Sequence, residues 1–177
     1  HHIINQDPKT NPQKIGGVAS QKYKTKQSKK NNTKVILLYI DLDKFKPIND
    51  EWGHGVGDQV LKVIAARLNA ATREDDTTAR LGGDEFAVLL PNVEYDVSVN
   101  KLSASLHTRI TQPIFLNGRN FQIGCSIGIC SYPENASNSE QLWQQADAAM
   151  YIAKKRSSRW YIHQKNRPQM INVRPHE

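Results

Sequence analysis

Val35-Ile36-Leu37-Leu38-Tyr39-Ile40 is one continuous apolar run, and it passes directly into Asp41-Leu42-Asp43. A partly β-branched run of this length without polar alternation predicts a buried central strand. Its C-terminal end then carries two carboxylates at the rim of a core. Acids left uncompensated there repel one another, so a neighbouring cation is a physically reasonable partner for them.

The segments that follow supply cover for such a strand. Val56, Val60, Val63, Ile64, Leu68 and Ala71 recur at helical spacing, with Gly57-Asp58 near the start of that helix, where a carboxylate suits the dipole. Thr77–Leu81 and Phe86–Leu90 read as short strands flanking Gly82-Gly83-Asp84-Glu85, a hairpin with its acids at the tip and Pro91 ending the second strand. Val99, Leu102, Leu106 and Ile110 mark a second amphipathic helix. Ile114-Phe115-Leu116, Asn117-Gly118 and Phe121–Ile129 read as another hairpin. Leu142, Trp143, Ala146, Ala149, Met150 and Ala153 mark a third helix, and Trp160-Tyr161-Ile162 a last strand. The order predicts an α/β (α+β) sandwich, with a mainly antiparallel sheet and helices packed on it.

The net charge of +7 suggests a nucleic-acid partner until it is located. Eight lysines and one acid, Asp7, lie within residues 1–34 and account for all of it; the remaining 16 basic and 16 acidic residues balance. Residues 1–33 therefore read as a polar leader whose lysines are solvated, 34–163 as the folded domain, and 164–177 as a tail or linker. No nucleic-acid partner is expected. No apolar run reaches the roughly 20 residues that cross a bilayer, so a membrane enters only through regions outside this sequence. Cys125 and Cys130, the only cysteines, have an odd spacing that points them to opposite faces of a strand. That excludes a disulfide framework and fits a reducing compartment. With no basic neighbour evident they read as packed residues, not nucleophiles.

Asp84 and Glu85 lie 43 and 44 residues after Asp41. If the strands are neighbours, Asp41 and Asp84 can share a hard cation, with the Leu42 carbonyl adding an oxygen. The alternative is a set of solvated turn acids. Between them, Asn49 and Asp58 offer the donor and acceptor that suit a guanine edge, although Asp58 also suits a helix cap. His54 reads as a turn residue. Trp143, Met150 and Tyr151 read as core or rim of the last helix.

Asp41-Leu42-Asp43-Lys44-Phe45-Lys46, Ile48-Asn49-Asp50, Gly53-His54, Gly57-Asp58 and Arg80-Leu81-Gly82-Gly83-Asp84-Glu85-Phe86, with Cys125–Ile129 and Ala146–Lys154 in order behind them, resemble the bacterial GGDEF domain. The resemblance implies a palm-like nucleotidyl cyclase fold. It also implies a diguanylate cyclase that joins two GTP into cyclic di-GMP at a homodimer interface. It places Mg²⁺ or Mn²⁺ on Asp41, the Leu42 carbonyl and Asp84, and gives Glu85 a metal or the 3′-hydroxyl proton. It puts guanine on Asn49 and Asp58, and phosphates on the Lys44 and Phe45 N–H groups, Lys46 and Lys154. His54 joins the substrate-binding set. Arg73 and Asp76, an RxxD ending six residues before Gly82, match the family's inhibitory product site. GTP as substrate implies a cytoplasmic location, with membrane anchoring only outside the fragment. Two blocks depart from the family pattern. Asp7-Pro8-Lys9-Thr10-Asn11-Pro12 keeps only the Asp and Thr of the usual opening, and Ser157-Ser158 stand where a glycine and a basic residue are usual, with Arg159 one place later. The altered opening favours the alternative of a weak or inactive module that binds GTP or cyclic di-GMP and regulates a neighbouring domain.

Overall fold

The structure, a computed structural model, describes residues 33–163 and 169–170. Residues 1–32 of the leader, with the Asp7–Pro12 block, and most of the tail lie outside the described residues. Strand β1 (Thr33–Asp43) is followed by helices α1 (Phe45–Trp52) and α2 (His54–Ala71), then by the hairpin β2 (Thr77–Gly82) and β3 (Glu85–Glu94). Helix α3 (Val99–Ile110), a small hairpin of β4 (Ile114–Leu116) and β5 (Arg119–Phe121), and strand β6 (Gly124–Tyr132) come next. Helix α4 (Ser139–Lys155), β7 (Trp160–Ile162) and β8 (Gln169–Met170) complete the order.

Six strands form one sheet in the order β2-β3-β1-β6-β7-β8. Every pairing is antiparallel except β6 with β7, which α4 connects as a crossover. The apolar run therefore lies at the centre, as its composition predicts, and period 2 divides its side chains between two cores. Ile36, Leu38, Ile40 and Leu42 pack with Val60, Ile64 and Leu68 of α2 and Leu106 and Ile110 of α3. Val35, Leu37 and Tyr39 pack with Leu142, Ala146 and Met150 of α4. Ile36, Leu37, Leu38 and Ile40 are fully buried, so truncating any one to alanine costs about 2–5 kcal/mol. Gly128 of β6 lets α4 close onto the sheet: a Cβ there would sit 2.1 Å from the Ala146 carbonyl and the Met150 nitrogen. Arg67 holds the far end of α3, donating to the carbonyls of Ile110 (3.1 Å), Gln112 (2.6 Å) and Pro113 (2.8 Å). Cys125 and Cys130 are buried in the two different cores.

Two local expectations change, and one helix is added where the sequence analysis assigns no element. Residues 45–52 are a helix; Pro47 falls in its first turn, where a missing N–H costs no helical bond. Pro91 does not end β3, which continues to Glu94. The β1–β3 register shifts between Lys34 and Ile36, giving β3 one extra residue around Pro91, the kind of irregularity where proline is tolerated. The run Phe121–Ile129 is not one strand. Phe121 ends the small hairpin, and β6 begins at Gly124 in the main sheet. No helix of the described residues is long and apolar enough to cross a membrane.

Candidate functional site

Sheet register assembles the acidic end. Asp41 stands opposite Glu85 of β3 and opposite Ser126 of β6, and the Leu42 N–H donates to the Asp84 carbonyl at 3.0 Å. The β2–β3 turn is braced by Arg80, whose Nε donates to the Gly83 carbonyl at 3.0 Å. Two acids separated by 43 residues are thus held at one sheet end by backbone pairing rather than by their own side chains.

Three acids at this end have side-chain partners: Asp41, Glu85 and Asp43. The buried Asp41 receives a hydrogen bond from Lys154 Nζ on α4 at 2.5 Å through Oδ2. Its Oδ1 is buried with no hydrogen-bond partner, unlike any other buried carboxylate oxygen among the described residues. The Tyr39 hydroxyl donates to Glu85 Oε2 at 3.0 Å, and the Ser126 hydroxyl donates to Asp43 at 3.1 and 3.3 Å. Burial pushes the Asp41 carboxyl up; the Lys154 hydrogen bond pulls it down, and the Asp84 and Glu85 charges push it up again. The Lys154 ammonium is held above its ordinary range, chiefly by the same hydrogen bond. Burial, then the Glu85 charge, raises the Tyr39 phenol, which keeps it a donor.

No three His, Cys, Asp or Glu side chains among the described residues gather into a ready-made metal cage. A hard cation of the Mg²⁺ kind does not require one, because one or two carboxylates and substrate oxygens suffice. The orphaned Asp41 Oδ1 fits that chemistry. So does Lys154, a cation already drawn to the same carboxylate.

The second part of the site lies on α1 and α2. Lys44 enters α1 in the left-handed conformation (φ 62°), and no side chain caps the N–H groups of the first turn. Such N–H groups favour an anion. Lys44, Lys46, His54 and Asp58 are exposed, Phe45 is buried beneath them, and Asn49 is half-buried. The structure brings Asn49 and Asp58 to neighbouring turns of the two helices, with Asn49 against Gly57.

Arg73 and Asp76 occupy a separate corner, at the opposite end of β2 from Gly82. The Asp76 carboxylate accepts the Arg73 backbone N–H at 2.7 Å, and the Asp76 N–H donates to the Arg73 carbonyl at 3.1 Å. Burial raises the Asp76 carboxyl, against the pull of that Arg73 N–H. A cleft of about 700 Å³ opens beside this turn, lined by Arg73, Asp76, Leu90, Lys101, Leu106 and Arg109 among others.

Two site features escape a linear reading. Lys154 is anticipated at phosphate, yet here it pairs with Asp41, and only the packing of α4 reveals that. Tyr39 falls within an apolar run in the sequence. Its hydroxyl and its position two residues before Asp41, hence on the same face, are the signal that it belongs to the acidic end. The cysteines have no such role: both are buried, and burial lifts the Cys130 thiol to about 12.

Residues 18–159 match the family model described as diguanylate cyclase, GGDEF domain. The chain is 40% identical over 133 residues to diguanylate cyclase TpbB of Pseudomonas aeruginosa, covering 75% of this chain and 31% of that protein. It is 37% identical over 124 residues to cyclic di-GMP phosphodiesterase PdeR of Escherichia coli, covering 70% of this chain and 19% of that protein. It spans a third or less of the length of these relatives. The solved GGDEF domain of TpbB superposes with a TM-score of 0.78 at 38% identity, covering 87% of this chain and 90% of that one.

Proposed function

The chain belongs to the GGDEF, diguanylate cyclase, domain family, and on that premise we propose that it joins two GTP into cyclic di-GMP with release of two pyrophosphates. The observation that carries this reading is Asp41. A buried carboxylate with one unpartnered oxygen, registered against Glu85 and tied by backbone to Asp84, suits a cation more than a solvated turn.

Asp41, the Leu42 carbonyl and Asp84 would hold Mg²⁺ or Mn²⁺, with Glu85 in reach of the same ion. When bound, the ion supplies neutralisation of charge on the reacting phosphate. The residues of the chain do the rest. Lys44 and Phe45 offer N–H groups, and Lys46 and Lys154 ammonium groups, to the phosphates; Lys154 leaves Asp41 to do so. His54, exposed at the start of α2, lines the substrate side. Asp58 accepts from the guanine N1–H and N2–H, and Asn49 donates to O6 or N7. Each 3′-oxygen forms a bond to the α-phosphorus of the other GTP as the bond to pyrophosphate breaks. Glu85, oriented by Tyr39, either takes the 3′-hydroxyl proton or ligates the metal. Each chain holds one GTP, so the reaction requires a homodimer with the two sites face to face. Arg73 and Asp76 bind cyclic di-GMP at their separate corner and limit its synthesis. The substrate places this domain in the cytoplasm. Phosphoryl transfer of this kind depends mostly on positioning and charge neutralisation.

A second reading is a regulatory module that binds GTP or cyclic di-GMP without turnover. It is favoured by the altered Asp7–Pro12 opening and by relatives named as phosphodiesterases. The deciding experiment incubates GTP and Mg²⁺ with a protein concentration series and resolves cyclic di-GMP by chromatography. Product rising faster than linearly with protein, and lost in Asp84→Ala and Glu85→Ala at unchanged Tm, is expected. Turnover retained in both variants would overturn the cyclase site. Wild-type protein that binds cyclic di-GMP but makes none would replace the first reading with the second.

A further inference from the structure

Helix α2 carries two glycines in its first turn, and they meet different surroundings. A Cβ added at Gly55 would have nothing within 4 Å. A Cβ added at Gly57 would sit 1.7 Å from Asn49 Oδ1, 2.9 Å from Asn49 Cγ and 3.3 Å from Phe45 Cζ. Gly57 is buried, and neither glycine has the positive φ that would require glycine for backbone reasons. Glycine inside a helix is disfavoured relative to alanine. The space at Gly57 is therefore filled by the amide of Asn49, which lies on the Cα of Gly57 one residue before Asp58. The bend at Gly53 (φ 86°) folds α1 back on α2 and makes the contact, with the Gly53 N–H on the Asn49 carbonyl at 2.9 Å.

We infer that Gly57 is a positioning residue for guanine recognition: its missing side chain seats the Asn49 amide beside Asp58 and so sets base specificity. This rests on the guanine roles proposed above for Asn49 and Asp58. The atoms a methyl group would strike are the end of a flexible side chain. A methyl at Gly57 thus displaces Asn49 and leaves the helix folded.

The test measures GTP and ATP binding by calorimetry, and Tm, for the wild-type chain and for Gly57→Ala, Gly55→Ala, Asn49→Ala and the Gly57→Ala/Asn49→Ala pair. Gly57→Ala and Gly55→Ala are both expected to keep or raise Tm. Only Gly57→Ala should weaken GTP, by about fivefold, the loss of one hydrogen bond, and thereby narrow the preference over ATP. Asn49→Ala should weaken GTP equally, and the double variant no further. GTP affinity kept in Gly57→Ala but lost in Asn49→Ala would overturn the inference and leave the guanine reading standing. Additive losses in the double variant, or a Gly57→Ala chain that does not fold, would also overturn it. Unchanged affinity in Asn49→Ala would instead remove the guanine reading itself.

Discussion

The acidic sheet end and the Arg73–Asp76 turn both present carboxylates beside basic residues, yet they are built in opposite ways. Asp76 is satisfied by its own turn, through the backbone N–H of Arg73, three residues away. Asp41 is satisfied only by Lys154, 113 residues away on another element, and only through one of its two oxygens. A self-contained turn forms wherever its local sequence allows, and a ligand there must share or replace an existing bond. A carboxylate held half-satisfied by the sheet has capacity to spare. Under the proposed function, that contrast suits the sheet end to a cation and leaves the turn to meet a ligand through the exposed Arg73 side chain beside Asp76.

The largest expected effect separates the two by stability. Lys154→Met leaves Asp41 buried without a cation. Chemical denaturation without added metal should show a loss of about 1–2 kcal/mol, less than breaking a fully buried pair costs, because half of the lysine side chain is in water. Adding Asp41→Asn should restore most of it. The Lys154 pKa is raised on folding, so its contribution is complete below its ordinary value of 10.5 and is lost as pH rises through the folded value. The gap between wild type and Lys154→Met should therefore close at strongly alkaline pH. A gap that persists there would show that the lysine acts through packing of its stem.

A smaller effect tests the turn. Asp76→Ala removes the bond to the Arg73 N–H and should cost about 1 kcal/mol. Arg73→Ala keeps that bond and should change stability by less than about 0.5 kcal/mol. Both should weaken cyclic di-GMP binding in titration. Inhibition that survives Arg73→Ala would break the comparison, leaving the turn as structure alone.

The smallest effect concerns Tyr39→Phe. Glu85 is half-buried and returns to water, so less than about 1 kcal/mol of stability should be lost. Cyclic di-GMP synthesis should nonetheless slow at unchanged GTP affinity, because Glu85 loses its orientation. Equal rates for Tyr39→Phe and wild type would remove Tyr39 from the site.

Short-range features were legible in the linear sequence. An unbroken apolar run announced the central strand, Gly82-Gly83 announced the hairpin that carries Asp84 and Glu85, and helical spacing announced α2, α3 and α4. Features that depend on a neighbour were not. Pro47 hides α1 unless it is known to fall in a first turn. Pro91 looks like a terminator unless the bulge opposite Lys34–Ile36 is seen. Tyr39 looks like core until its hydroxyl is found on Glu85.

By itself, then, the sequence determined the family, the central strand with its terminal carboxylates, and the identity of the acids, because periodicity and motif order act over a few residues and survive without a partner. Only the tertiary structure decided that Asp41 pairs with Lys154 and keeps one bare oxygen, that Asp76 closes on its own turn, and that Asn49 rests on Gly57. Each of these depends on which groups are desolvated together, and burial is a property of the assembled layers rather than of any segment.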